Sequence, residues 1–460
     1  MKEVLEILER LERAGFEACL VGGSVRDMLL GRSPKDFDIA TSASPEQVSR
    51  LFRRVIPTGA AHGTVTVLLG EQAIEVTTYR RDVDCDGRHA IVAPTAHLEV
   101  DLARRDFTVN SMALFPRSDR LVDPFGGRAD LELGLIRCVG EPAKRFSEDH
   151  LRLLRAVRFA AQLDFEIEPA TWAAVKELAP ALDRISRERV ADELWALLAG
   201  PAAARGVRLL DEAGLLAGIL PELHATHGVP QPQKWHHLDV FEHSWLAFCH
   251  AIERTADPVT RLATLLHDIG KPETLSREDD SIHFHRHEAV GARMIPEMVA
   301  RARLASSRRV RLDARQLIER LEVLIELHLR PHELAGARPP TLRRLVRAAG
   351  PYLEELLLVA RCDRLAHRVP DISRLDALCE ALKAIEPAAE LRKLQCPLRG
   401  EEIMQLLGIP AGPAVGAAKQ AVLDAILDGA LKSDPAAARE WLLGHASELA
   451  GRLGNRPEKS

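Results

Sequence analysis

The chain has 460 residues, 28% charged and 46% hydrophobic, with a formal net charge of −5. That length predicts two to four domains with ample core, and no apolar run approaches the ~20 residues that would span a bilayer as a helix. Seven cysteines (19, 85, 138, 249, 362, 379 and 396) are scattered with no C-x-x-C pair, which argues against a zinc ribbon or a secreted disulfide scaffold and for a reducing cytoplasm.

The opening "MKEVLEILERLERAGFEACL" reads as an amphipathic helix over 4–14 rather than a signal peptide. A strand "ACLVGG", a helix "VRDMLLG" and a strand "FDIAT" follow. Ser44-Pro45 then caps and starts another helix. "GTVTVLLG" and "QAIEVTTYR" alternate as the two arms of a hairpin. From about 141 onward, apolar residues recur at helical spacing almost without relief. Breaks fall at "LAGPAAARG", "HGVPQPQKW", "GARPP" and "IPAGPAVG", and the end "GNRPEKS" reads as a disordered tail. "RARLASSRRVRLDARQLIER" and "RPPTLRRLVRAAG" are strongly basic, so a local positive face is compatible with the acidic total. Two tyrosines and 12 phenylalanines are too few for an extended stacking platform, which directs any RNA contact to the backbone.

"CLVGGSVRDMLLGRSPKDFDIAT" joins two features. The turn of Gly22, Gly23 and Ser24 opens a helix and offers backbone N–H groups to a phosphate chain, and Arg26 on its first turn adds a planar fork. Asp36 and Asp38 flank a phenylalanine; on a strand both would face one side and could hold a hard cation such as Mg²⁺. Solvated strand-end charges are the plainer reading of D-x-D alone. The neighbouring glycine turn reverses that preference, and Glu75 on the next strand is the third carboxylate to expect.

"LVGGSVRDMLLG…DFDIAT", "HGTVTV…IEVTTYR", "DLARRDFTVNSMAL", "DPFGG" and "RFSEDHLRLLRAVRFAAQLDFEI" resemble, in that order, the class II tRNA nucleotidyltransferase and bacterial poly(A) polymerase family. The resemblance covers about residues 18–200. It implies an α+β protein: a polymerase-β-like nucleotidyltransferase head holding Mg²⁺, followed by an all-helical neck, body, HD domain and tail. The expected boundaries are 1–140 for the head, 141–228 for neck and body, 229–370 for an HD domain and 371–460 for the tail. The implied chemistry is attack of an RNA 3′-hydroxyl on a nucleoside triphosphate. Two metal ions ~4 Å apart would assist by activating the hydroxyl and stabilising the pyrophosphate.

In the family the "DLARRDFTVNSMAL" segment selects ribose, which points to Arg105 first and to Asp106 and Asn110 after it. "EDHLRLLRAVRFA", read as one helix, sets Asp149, Arg152, Arg155 and Arg158 three residues apart along one face. An aspartate accepts from an exocyclic amine and an arginine donates as a fork, so Asp149 and Arg152 are suited to read a cytosine or adenine edge. Arg158 would lie nearer the phosphates or the RNA.

Further on, His243, the His267-Asp268 pair and Asp363 match the H…HD…D order of the HD metal-dependent phosphohydrolases. Such a mixed imidazole and carboxylate set suits Mn²⁺, Ni²⁺ or Co²⁺, with His287 and His328 as candidate ligands of a second ion. His250, His283 and His367 are read as core or surface residues. The resemblance links this module to phosphatase or cyclic phosphodiesterase activity on RNA ends.

These readings converge on a cytoplasmic enzyme that adds the 3′-terminal CCA to tRNA from CTP and ATP, with no membrane and no obligate protein partner. The alternatives within the class are a poly(A) polymerase or an enzyme restricted to CC or A. From another class, an HD phosphohydrolase with an RNA-binding head would need a dead D-x-D. The segment "RHAIVAPTAHLEVDLARRD" has the length of a complete loop, but Ala90 stands where the family's "DGRHP" has proline.

Overall fold

The computed structural model describes all residues except 35, 60–62, 86–89, 233–236, 279–280, 386–390, 392–393 and 448–460. Most of the "DGRHA" stretch and the "GNRPEKS" tail therefore lie outside the described residues. The chain packs as two compact units, Met1–Ala225 with Glu297–Ala314, and Thr226–Pro296 with Arg315–Ser460.

The first unit is built on a mixed sheet. Helix α1 (Lys2–Arg13) buries Val4, Ile7, Leu8 and Leu11, the one-sided spacing of an amphipathic helix. It leads into β1 (Ala18–Val21) and α2 (Gly23–Leu29), then β2 (Asp38–Thr41) and α3 (Pro45–Leu51). Ser44 and Gln47 cap α3 reciprocally, the side chain of each accepting from the other's backbone N–H. Strands β3 (Val55–Gly59), β4 (Thr64–Leu69) and β5 (Gln72–Thr78) follow, and β4 and β5 form the expected antiparallel hairpin. Strands β6 (Arg80–Cys85) and β7 (Ala90–Pro94) pair as a separate ribbon ahead of α4 (Leu98–Ala103). Strands β8 (Ala113–Phe115) and β9 (Arg120–Val122) complete a seven-stranded sheet of order β3-β4-β5-β2-β1-β8-β9. Only β2 and β5 run parallel within it.

Helices then take over: α5 (Gly127–Leu133), α6 (Pro142–Glu148), α7 (Leu151–Leu163), α8 (Pro169–Leu178), α9 (Arg187–Leu198), α10 (Ala203–Glu212), α11 (Leu215–Ile219) and α12 (Pro221–His224). Two details depart from the sequence reading. A short parallel pair, Leu135–Ile136 with Glu166–Ile167, interrupts the helical run. The stretch 148–160 is two helices, not one: Asp149 is extended (φ −155°, ψ 103°) and α7 starts only at Leu151, with His150 as its cap.

A chain of charged groups ties the head sheet to these helices. Arg26 donates to Asn110 Oδ1 (2.9 Å), and Asn110 Nδ2 donates to Asp106 Oδ1 (3.3 Å). Arg155 donates from Nε to Asp106 Oδ2 (2.7 Å), and Glu193 lies between Arg155 (3.7 Å) and Arg158 (2.5 Å). The arginines 26, 155 and 158 also surround the Phe159 ring at 5.4, 5.1 and 4.2 Å. Trp195 Nε1 donates to the carbonyl of Leu304 (2.9 Å), which fastens segment 297–314 to α9.

The second unit is helical except for a hairpin, β10 (Leu275–Glu278) with β11 (Ser281–Phe284), that the helical pattern did not announce. Its helices are α13 (Val240–Arg254), α14 (Pro258–Leu266), α15 (Lys271–Thr274), α16 (His287–Arg301), α17 (Ala314–Glu326), α18 (Arg330–Glu333), α19 (Pro339–Ala349), α20 (Leu353–Leu365) and α21 (Ser373–Lys383). Helix α13 packs on α14 and α20. Near the end, α22 (Gly400–Leu407), α23 (Pro413–Leu427) and α24 (Pro435–Gly444) enclose their own core of Leu398, Ile403, Ala418, Val422 and Leu442.

Burial alone would raise the Asp106 carboxyl, but Arg155, then Arg152 and Asn110, hold it down at about 2, from an ordinary 3.8. A depressed carboxylate stabilises the fold above its unfolded value and loses that contribution as pH falls toward its folded value. Asp106→Asn should therefore be less stable than wild type by about 2 kcal/mol near neutral pH, with the gap closing between about pH 4 and pH 2. Denaturant unfolding of both proteins across that range measures it, and a gap independent of pH would contradict the ion-pair account.

Candidate functional site

The head carboxylates gather at one end of the sheet because of strand register. Val21 at the end of β1 pairs with Asp38 at the start of β2, so the glycine turn and Asp38 share an edge. Asp38 in turn lies opposite Glu75 on the parallel strand β5. Asp36 precedes β2 in a bend, so strand alternation does not place it, contrary to the expectation that both aspartates sit on one strand. It is close enough to raise the proton affinity of both other carboxylates. Asp38 is raised first by partial desolvation and then by Asp36, with Arg105 opposing. Glu75 is raised by desolvation, Asp38 and Asp36, with Arg80 opposing. Water reaches all three groups, yet the surrounding chain withholds enough solvent to make their mutual repulsion count. Such a cluster of hard oxygen donors fits a divalent cation.

The turn above them is shaped for close approach. Gly22 has φ +71°, and a Cβ there would lie 3.0 Å from Arg105 Nη1 and 3.6 Å from Asp38 Oδ2. Arg105 donates to Asp101 (3.1 Å), while its Nε is buried with no hydrogen-bond partner among the described residues. Ser24 is buried and its hydroxyl donates to the Val21 carbonyl (2.9 Å), which fixes the turn and leaves backbone N–H groups as the local donors. Arg26 is engaged by Asp27 and Asn110 rather than standing open.

The base-reading candidates do not pair with each other. Asp149 receives a two-pronged bond from Arg189 (3.1 and 2.7 Å). Arg152 is buried and turns to Glu148 (2.7 Å) and to the carbonyls of Arg145 and Arg104 (2.8 and 3.0 Å). Arg155 meets Asp106, and Arg158 meets Glu193 and Gln162. The broken helix at 149–150 is the reason: it sends Asp149 toward α9 and Arg152 toward the head. Arg189 and Glu193 escaped the sequence reading because they lie some forty residues downstream on a different helix.

In the second unit all six expected histidines and aspartates converge. His243 Nε2 lies 2.9 Å from Asp363 Oδ1, and His267 Nε2 lies 3.2 Å from Asp268 Oδ2. His287 and His328 approach the other oxygen of Asp268 at 3.2 and 3.8 Å. Asp268, His287 and His328 bring ligand atoms within 4.8 Å of one another, as do His243, His267 and Asp268. Gly270 is required here, since a Cβ would lie 2.1 Å from the His287 carbonyl. Lys271 is buried and bonds Asp268 (2.6 Å) and Gln231 (2.7 Å).

Backbone carbonyls aim the rings. Nδ1 of His267, His287 and His328 lies 2.8, 2.9 and 2.7 Å from the carbonyls of Thr264, Phe284 and Ile325. A carbonyl only accepts, so in the neutral rings the proton sits on Nδ1 and the Nε2 lone pair faces the carboxylates. Among the described residues, Nε2 of His267 and His287 is buried without a hydrogen-bond partner. In the neutral His287 ring this sets acceptor facing acceptor, an arrangement that suits a cation between them. Burial, then the neighbouring rings of His267 and His287, lower His328 to about 3, which keeps it neutral. His267 differs: burial lowers it, but Asp268 and Asp363 raise it to about 10, so a proton occupies that ring until a cation displaces it. His367, read from sequence as core or surface, instead reaches Asp363 Oδ1 at 3.4 Å, and His332 reaches Oδ2 at 3.1 Å.

Three families of known domains match the chain. The Poly A polymerase head domain covers residues 18–137, the "Probable RNA and SrmB- binding site of polymerase A" covers 164–226, and the HD domain covers 240–368. A CCA-adding enzyme from Geobacillus stearothermophilus is 41% identical over 297 residues, 60% of this chain and 73% of its own. An A-adding tRNA nucleotidyltransferase from Deinococcus radiodurans is 37% identical over 450 residues, 94% of this chain and 96% of its own. Among solved structures, the CCA-adding enzyme of Bacillus stearothermophilus in complex with CTP aligns with TM-score 0.66 and 31% identity, covering 99% of both chains.

The Gly22 geometry yields a direct test. Gly22→Ala forces a side chain into a positive-φ conformation (φ 71°, ψ −138°) essentially reserved for glycine, costing about 1–3 kcal/mol, and pushes Arg105 off the turn. The head should stay folded by circular dichroism while its affinity for nucleoside triphosphate falls at least about tenfold. Wild-type nucleotide affinity in this variant would show that the close approach has no bearing on binding.

Proposed function

The chain belongs to the tRNA nucleotidyltransferase and poly(A) polymerase family, and from its head geometry we propose that it adds the 3′-terminal CCA to tRNA, using CTP and ATP without a nucleic-acid template. The observation that carries this reading is the placement of Asp38 opposite Glu75 and near Asp36, directly under the Gly22 turn and Arg105. Asp36, Asp38 and Glu75 would hold Mg²⁺. When bound, the ion neutralises charge at the attacking 3′-oxygen and on the departing pyrophosphate. The chain's own groups bind and orient. The N–H groups of the glycine turn and the Arg105 guanidinium receive phosphate oxygens, which anions find favourable at a helix start. Asp106 and Asn110 hold Arg26 and Arg155 in place around them. Asp149, oriented by Arg189, offers an acceptor to the base edge, while Arg152, its fork spent on Glu148 and the carbonyls of Arg145 and Arg104, would add a donor only on release from them. The RNA 3′-oxygen then bonds to the α-phosphorus as the bond to the bridging oxygen breaks.

The histidine pocket supports a second activity, hydrolysis of phosphate esters on RNA 3′ ends with Mn²⁺, Ni²⁺ or Co²⁺. Removing a 3′-phosphate restores the hydroxyl that the head requires. Among the described residues no helix is long and apolar enough to cross a membrane, and a tRNA substrate is the ground on which we propose a cytoplasmic location.

A second reading, addition of the terminal A alone, is raised by the A-adding relative that matches nearly the whole chain, though the other relatives named above are CCA-adding enzymes. Purified protein incubated with tRNA lacking its last three nucleotides, and with tRNA ending in CC, separates the two. CTP followed by ATP on the first substrate supports CCA addition, and ATP incorporation on the second alone supports A addition. A long run of A, or no incorporation, contradicts both.

Two variants sharpen the test. Asp38→Asn should abolish incorporation while tRNA affinity stays within a few-fold. Asp149→Ala should lower efficiency with CTP and ATP about ten- to a hundred-fold, with a smaller loss for UTP and GTP. Equal losses for all four nucleotides would make Asp149 a residue of the fold and not of base selection.

A further inference from the structure

Distance alone places His367 among the metal-binding groups: its ligand atoms, with those of His243 and Asp363, fall within 4.8 Å of one another. Its surroundings differ from those of the other rings in one respect. The Nδ1 atoms of His267, His287 and His328 face backbone carbonyls, which accept. His367 Nδ1 instead faces Arg364 Nη1 at 3.0 Å. A guanidinium has donors and no acceptor. Nδ1 must therefore accept, and the ring proton is assigned to Nε2. That nitrogen points at Asp363 Oδ1, 3.4 Å away. A nitrogen that carries a proton has no lone pair to give to a metal ion.

We propose that His367 is a positioning residue of the histidine pocket and not one of its metal ligands: Arg364 fixes its tautomer, and its Nε2–H steadies the Asp363 carboxylate. His332 Nε2, 3.1 Å from the other oxygen of Asp363, steadies it from the opposite side. Asp363 also faces His243 (2.9 Å) and His267 (3.6 Å). The two outer rings thus set the direction in which Asp363 presents its oxygens to the inner two. Helix geometry makes the arrangement economical. Asp363 and Arg364 close α20, and His367 follows one turn later, so the donor, the ring and the carboxylate share one short stretch of chain. This inference rests on the pocket binding a metal ion, as proposed above.

The test uses the full-length protein and Ni²⁺ alone. After loading and desalting, bound nickel is counted by elemental analysis, and affinity is measured by competition with a chromophoric chelator. His367→Ala should retain the wild-type number of nickel ions per chain but bind them about 10- to 100-fold more weakly. His367→Gln, whose amide N–H takes the place of Nε2–H, should recover affinity to within a few-fold. Arg364→Ala, which frees the tautomer, should weaken binding without changing the count. Loss of a whole equivalent of nickel in His367→Ala would make it a ligand and overturn the proposal. So would unchanged affinity in His367→Ala, or a glutamine variant as weak as the alanine one. A wild-type protein that retains no nickel would refute the metal reading of the pocket itself, an outcome distinct from any of these.

Discussion

Repulsion among Asp36, Asp38 and Glu75 is the constraint on which the head depends. Strand order puts Asp38 opposite Glu75, and the bend before β2 adds Asp36; beyond desolvation, Asp36 raises the proton affinity of Asp38, and Asp38 and Asp36 raise that of Glu75. A fold optimised only for stability would separate these groups or pair each with a cation. Here Arg105, the arginine that opposes Asp38, is itself bonded to Asp101, and Arg80 opposes Glu75. The cluster is left with a deficit of positive charge that a divalent ion would correct, and the ion would then receive the anionic triphosphate. Its cost is borne by the well-formed parts around it, chiefly the hairpin of β4 and β5 and the ion-pair chain from Arg26 to Arg158.

That ion-pair chain also fastens α7 to the head. Asp106 receives Asn110 from the head side and Arg155 from α7, so displacement of either element would expose a buried charge. The histidine pocket solves a similar problem by other means. Its carboxylates are satisfied by rings, and its rings are aimed by carbonyls at one nitrogen and by carboxylates at the other. In one site the scaffold tolerates unbalanced oxygen; in the other it balances oxygen with imidazole. The first donor set suits a hard divalent ion and the second a borderline one.

Much of this was legible in the sequence where the determinants are local. The Ser44-Pro45 cap, the β4–β5 hairpin and the Gly22-Gly23 turn each depend on residues within a few positions, and each formed as read. The convergence of His243, His267, Asp268, His287, His328 and Asp363 was legible for another reason: the H…HD…D order resembles that of the HD phosphohydrolases, and the resemblance implies a shared pocket. What escaped depends on partners distant in sequence. Helical periodicity runs smoothly across Asp149, so nothing in "EDHLRLLRAVRFA" announces the break that turns Asp149 toward Arg189. His367 looked like an ordinary helix-end residue, since only the third dimension reveals that Arg364 and Asp363 hold its two nitrogens. Asp36 was assigned to a strand because D-x-D alternation is a rule about strands, and β2 begins two residues later.

The central claim is that the head carboxylates are a site for a divalent ion shared with a triphosphate. Calorimetric titration of CTP into the protein, in Mg²⁺ and again in excess chelator, tests it without any turnover. The account predicts that CTP binds at least about tenfold more tightly with Mg²⁺, and that Asp38→Asn removes this dependence. Equal CTP affinity with and without the ion in the wild-type protein would contradict it.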